Sequence, residues 1–122
     1  MAKILIAEDD MDIRELVVLT LQFSGHDVVS VEDGAAAVEA SQGDSFDLIL
    51  MDVRMPRMSG YEACRIIKDR KETQDVPVIF LSAKGQESEI QSGLLAGAEQ
   101  YVLKPFAPEE LVETIQKVLN RS

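Results

Sequence analysis

The sequence has one cysteine, one histidine and no tryptophan among its 122 residues. With Cys64 alone, no disulfide can form within the chain. With His26 alone, metal sites built from several histidines or cysteines are excluded, as is a Ser-His-Asp triad around any other histidine. Positive charge is short as well: 12 bases stand against 22 acids, for a net charge of −10. A surface this acidic repels phosphate backbones and anionic bilayers, which excludes nucleic acid and membrane as expected partners. No apolar run approaches the roughly 20 residues that a membrane span needs. The first seven residues carry one base and a short apolar run that stops at Glu8-Asp9-Asp10. Three acids there do not suit a secretory signal, so a cytoplasmic location is expected.

What is present is ordinary globular composition, with 46% hydrophobic and 28% charged residues. The length predicts a single domain over residues 1–122. Such a chain buries about two thirds of its unfolded surface and needs no staple to fold. Five short apolar runs recur, at residues 4–7, 28–31, 48–51, 76–81 and 101–103. Most are continuous rather than alternating, as in strands covered on both faces. Helical spacing lies between them. Ile13, Leu16, Val17 and Thr20 mark a first helix that Gly25 is placed to end, and Ala35 and Val38 mark a second. Cys64 and Ile67 mark a third after Gly60, and Ile90 and Leu94 a fourth. Leu111, Val112, Ile115, Val118 and Leu119 mark a fifth, with Pro108 in its first turn. Five β-α units in succession predict a doubly wound α/β fold, a parallel sheet with helices on both faces.

Sites in such sheets form at the carboxyl ends of the strands, beside the point where strand order reverses. Glu8-Asp9-Asp10 follows the first strand, Asp52 the third, Ser82-Ala83 the fourth and Lys104-Pro105 the fifth. Glu32-Asp33-Gly34, after the second, reads as a turn. Carboxylates from adjacent strands repel unless a cation intervenes. Mg2+ suits them, being a hard ion that uses one or two carboxylates plus a phosphate. A lysine and a hydroxyl opposite the metal complete a phosphoryl-transfer site with aspartate as acceptor.

With these motifs in order, the chain resembles the CheY-like receiver domains of two-component response regulators. The resemblance rests on residues 4–10, on residues 47–52 with Met55-Pro56 and Gly60 behind them, on Ser82-Ala83, and on Gly97-Ala98 leading to Tyr101 and Lys104-Pro105-Phe106. It implies a flavodoxin-like (βα)5 fold of strand order 2-1-3-4-5. It implies Asp52 as phosphoacceptor, and Mg2+ held by Asp9, Asp52 and the backbone carbonyl of Arg54, with Glu8 acting through a water. Lys104 is implied to pair with the phosphoryl group, Ser82 and Tyr101 to be the switch residues, and Lys104–Pro105 to be cis. The implied partners are a sensor histidine kinase or histidine phosphotransfer protein as donor and a downstream effector. The output face is formed by the fourth helix, fifth strand and fifth helix, which also offers a homodimer surface. The domain is expected to catalyse only its own phosphorylation and autodephosphorylation, so it is not an enzyme in the usual sense.

Glu8 is longer than the aspartate common there, Ser82 replaces the commoner threonine, and Arg54 and Lys84 add two bases at the rim. Plainer roles compete. Asp10 reads as a helix cap, Cys64 as a small core residue, Met51 as core, and Met55 and Met58 as loop packing. His26 reads as an exposed turn residue, and residues 68–72 as a solvated helix end. The competing functions are a Mg2+-dependent phosphatase, a flavin or nucleotide binder, and a receiver that has lost phosphorylation. The phosphatase would need a cap insertion for which there is no room. The binder would need a glycine-rich phosphate loop, and none is present.

Overall fold

Each strand is a short apolar run stopped by polar or turn residues, and each described helix buries one apolar stripe. The structure, a computed structural model, describes residues 2–83 and 97–120. The elements are β1 (Lys3–Ala7), α1 (Met11–Phe23), β2 (Asp27–Val31), α2 (Gly34–Gly43), β3 (Leu48–Asp52), α3 (Gly60–Lys68), β4 (Val78–Ala83), β5 (Gln100–Lys104) and α4 (Pro108–Leu119). The expected fourth helix around Ile90 and Leu94, and the rim base Lys84, lie outside the described residues. The fifth expected helix is therefore α4 here.

All four strand pairings are parallel, and the order is β2-β1-β3-β4-β5, as expected. The chain leaves β1 toward β2, then returns across β1 to β3, so the order reverses between β1 and β3. Alternation sends odd residues of β1 and β3 to one face and even residues to the other. Leu5, Ala7, Ile49, Met51 and Phe80 pack with Ala63, Cys64 and Ile67 of α3 and Ala37 of α2. Ile4, Ile6, Leu48, Leu50, Ile79 and Leu81 pack with Val17 and Leu21 of α1 and with Leu111, Ile115 and Val118 of α4. Both faces are covered, which is why the runs are continuous in sequence.

The helix ends follow local chemistry. Asp10 caps α1, accepting the N–H groups of Asp12 and Ile13 at 2.9 and 3.1 Å. The helix ends in a Schellman motif, in which Gly25 has φ +92°. The N–H of Gly25 donates to Gln22 and that of His26 to Leu21. Ser59 and Glu62 form a capping box at α3, and Pro108 opens α4.

Four expectations shift. β4 starts two residues later than the apolar run and includes Ser82 and Ala83, because Pro77 lacks the N–H that a central strand donates. Leu16 is exposed and Leu21 takes the core position, one turn on from Val17. His26 is half-buried, and its Nδ1 accepts the Ala2 N–H at 3.2 Å; burial lowers its pKa. Lys68 is not merely solvated: its ammonium donates to the carbonyls of Gln74 and Val76 at 3.2 and 2.6 Å and ties α3 to the approach to β4. Cys64 is buried core, with its thiol pushed up to about 11 by burial. Among the described residues no helix is long and apolar enough to cross a membrane.

Candidate functional site

The polar residues gather where the apolar runs stop. Asp52 and Lys104 are the last residues of β3 and β5, and Glu8 directly follows β1. Strand alternation puts Asp52 in line with Leu48 and Leu50, Lys104 with Val102, and Glu8 with Ile4 and Ile6. All three therefore belong to the face covered by α1 and α4. β1 and β3 are neighbours, so their acids meet directly. β4 separates β3 from β5, and only a long side chain crosses that gap. Lys104 does so: its Nζ lies 3.0 Å from Asp52 Oδ1 and 2.8 Å from Glu8 Oε1.

Burial sets the electrostatics. The Glu8 side chain is 0% exposed and that of Asp52 9%. Asp9 is exposed, and carboxylate oxygens of Glu8, Asp9 and Asp52 all lie within 4.8 Å of one another. Burial pushes Glu8 up to about 7; the Asp52 charge adds to the rise, and Lys104 opposes it. Burial likewise raises Asp52, with Lys104 pulling down and Asp9 pushing up. Burial alone would lower Lys104, but the two carboxylates outweigh it and hold the ammonium charged. Among the described residues, three acids thus gather around the Lys104 ammonium.

This donor set fits a divalent hard cation. Its side chains offer carboxylate oxygens, and among the described residues the acids outnumber the one ammonium at the cluster. Glu8 Oε1 is buried, and among the described residues its one close polar contact is the Lys104 ammonium at 2.8 Å.

The surrounding loops fix this geometry. The Glu8 N–H donates to Val31 at 3.1 Å, and Arg14 Nη1 donates to the Glu8 carbonyl at 2.8 Å. The Asp10 N–H donates to Glu8 Oε2 at 3.2 Å. The Val53 N–H donates to Leu81 at 3.2 Å, and the Gly60 N–H to Val53 at 2.9 Å. A Cβ at Gly60 would collide with the Asp52 carbonyl oxygen, so α3 begins hard against the end of β3. Arg14 carried no signal at sequence level: a basic residue in the second turn of a helix looks like any solvated lysine or arginine.

The remaining expected residues fall as follows. Arg54 is exposed, two residues beyond Asp52. Ser82 is buried near the end of β4, whereas Tyr101 on β5 is exposed. Phe80 pairs with Tyr101 and Ser82 with Leu103, so Ser82 and Tyr101 share the sheet face opposite Asp52 and Lys104. The Lys104–Pro105 bond is cis.

The fold has counterparts. The chain is 36% identical to the chemotaxis response regulator CheY4 of Vibrio cholerae, with a TM-score of 0.92 over 97% of this chain and 98% of that one. It is 32% identical, again with a TM-score of 0.92 and 98% coverage of both chains, to the receiver domain of the sensor histidine kinase PA1611 from Pseudomonas aeruginosa. That structure has a magnesium ion coordinated in its active-site cleft. The phosphate regulon transcriptional regulatory protein PhoB of Klebsiella pneumoniae is 40% identical over 119 residues, which are 98% of this chain and 52% of PhoB. The chain thus spans about half the length of that relative. The family model for the response regulator receiver domain matches residues 4–116, in keeping with the fold: the chain belongs to the receiver-domain family of two-component response regulators.

Proposed function

We propose that the chain is a phosphorylation-driven signalling switch, one receiver domain over residues 1–122, in which Asp52 accepts a phosphoryl group. The observation that carries this reading is Lys104 Nζ within 3.0 Å of Asp52 and 2.8 Å of Glu8, with Asp9 completing the acidic cluster.

An Asp52 carboxylate oxygen attacks the phosphorus of a phosphohistidine on a sensor kinase or phosphotransfer protein. The new O–P bond forms as the P–N bond breaks, and the imidazole nitrogen leaves with the electron pair. Mg2+ would be held by Asp9, Asp52 and the Arg54 carbonyl, with Glu8 through a water, and would supply charge neutralisation at the phosphoryl oxygens. Lys104, already charged and already at Asp52 Oδ1, stays to pair with the transferred group. The new group adds a charge of about −1.5 to −2 and strong acceptors. Its oxygens are then offered to the Ser82 hydroxyl near the end of the neighbouring strand β4. This differential contact biases a two-state equilibrium, with Tyr101 on the same face as the second switch residue. The output passes to an effector through the face of β5 and α4, which is also the candidate homodimer face; the expected fourth-helix part of that face lies outside the described residues. The net charge of −10 disfavours direct contact with nucleic acid. The domain catalyses its own phosphorylation and slow dephosphorylation, turns over no external substrate, and acts in the cytoplasm, where kinase and effector meet.

Intact mass after incubation with a small-molecule acyl phosphate tests this. The expected result is a phosphoryl adduct that requires Mg2+ and is absent from Asp52→Asn. An adduct that survives Asp52→Asn, or none with any donor, overturns the reading.

A further inference from the structure

We infer that Arg57 and Asp33 form a positioning clasp that holds the β3–α3 loop in the shape presenting the Arg54 carbonyl, so that Mg2+ affinity depends on an ion pair outside the ligand set. The inference rests on the acceptor-site reading above.

Residues 53–59 connect β3 to α3. Their first residue is fixed by the hydrogen bonds of Val53 to Leu81 and Gly60. Their far end turns sharply. The Met58 N–H donates to the Pro56 carbonyl at 2.7 Å, closing a three-residue turn centred on Arg57. Arg57 has φ +67°, the one positive φ at a non-glycine position among the described residues. Such a turn is strained for a residue bearing a Cβ, and it persists only where the surroundings hold it.

The surroundings here are the β2–α2 turn. Arg57 donates to Asp33 Oδ2 through Nε at 2.9 Å and also through Nη2. Asp33 Oδ1 is engaged separately, accepting the Ala36 N–H at 2.8 Å as the cap of α2. Next to it the Gly34 backbone abuts Met58 so closely that a Cβ there would collide with the Met58 carbonyl. Two successive loop residues, Arg57 and Met58, thus rest on two successive turn residues, Asp33 and Gly34.

An exposed arginine paired with an acid is usually worth little, because water solvates both partners. This pair differs in that the Asp33 side chain is only 7% exposed, whereas that of Arg57 is 69% exposed. The buried carboxylate gets its counter-charge from the loop. Without Arg57 it would keep only its cap bonds, and the turn would lose the contact that offsets its strain. Arg54 lies three residues upstream, joined through Met55 and Pro56, so relaxation of the turn shifts its carbonyl while the acids on β1 and β3 stay in place. Groups that orient metal ligands from outside the ligand set commonly affect affinity this way.

The test is a Mg2+ titration by calorimetry on wild type, Arg57→Asn, Asp33→Asn and the double variant, with metal-free thermal midpoints alongside. Asparagine tolerates the left-handed backbone at position 57 and retains a capping oxygen at position 33. Each single variant is expected to weaken Mg2+ binding about tenfold, and the double variant no further than either single one. Unchanged affinity, losses that multiply in the double variant, or a lowered midpoint with affinity intact would each overturn the clasp. Wild-type protein that binds no Mg2+ would instead overturn the acceptor-site reading and the clasp with it.

Discussion

The two ends of the sheet use the same residue types to opposite effect. At the amino edge Lys3 pairs with Asp44, and its N–H donates to Asp47 at 2.8 Å. At the carboxyl edge Lys104 pairs with Glu8 and Asp52. Each edge thus joins one lysine to two acids. At the amino edge the groups stand in water, and the Lys3 contact simply holds Asp44 below its usual range. At the carboxyl edge the strands end inside the covered part of the sheet, and the acids are pushed up by burial. Like charges there cannot relax into solvent, so they store a demand for a cation. The glycines show the same contrast: Gly60 at the carboxyl edge admits no Cβ, while Gly43 near the amino edge has nothing close. Ion pairs at one edge trim the surface; at the other they build the candidate site.

The largest expected effect comes from removing the lysines one at a time. Lys104→Met should cost about 4 kcal/mol at pH 8, since two buried acids lose their counter-charge. Lys3→Met should leave the urea midpoint unchanged, and equal losses at the two edges would erase the contrast.

Next is pH. The folded-state pKa of Glu8 lies near 7, above the ordinary 4.5, so the native state holds the extra proton between those values. Metal-free stability should therefore fall as pH rises from 4.5 to 7 and level off above it, by no more than about 3 kcal/mol. Saturating Mg2+ should stabilise the protein more at pH 8 than at pH 6. Denaturation series at several pH values, with and without the metal, would show it, and a flat metal-free profile would count against a buried Glu8.

Gly60→Ala should cost about 2 kcal/mol and impair Asp52 phosphorylation, through the collision with the Asp52 carbonyl. Gly43→Ala should change stability by less than about 1 kcal/mol. Chemical denaturation of the pair, read beside phosphoryl uptake, separates the two edges. The smallest effect concerns the core between them: Cys64 should stay unlabelled by a thiol reagent at pH 8 until the protein unfolds, because the thiol is buried and its pKa is about 11.

Much of this was legible in the chain. Continuous apolar runs identify covered strands because burial on both faces removes the polar half of the alternation. Asp52, Lys104 and Glu8 were legible because a polar residue that stops such a run must stand at a sheet edge. Boundaries were less so. The extension of β4 through Ser82 depends on pairing with Leu103, a contact 21 positions away in sequence. Leu16 looked like core because helical spacing names a stripe without saying which side of it meets the sheet.

The sequence by itself determined the alternation of strand and helix, the identity of the acids and the lysine, and the excess of negative charge. These depend on neighbours within a few residues, through backbone sterics, apolar periodicity and capping. Only the tertiary structure decided that Glu8 loses its solvent while Asp9 keeps it, that Lys104 reaches past β4 to two acids, and that Arg57 holds a strained turn against a buried Asp33. Those outcomes depend on the distances between segments far apart in the chain, because desolvation and Coulomb energies follow position in space rather than position in sequence.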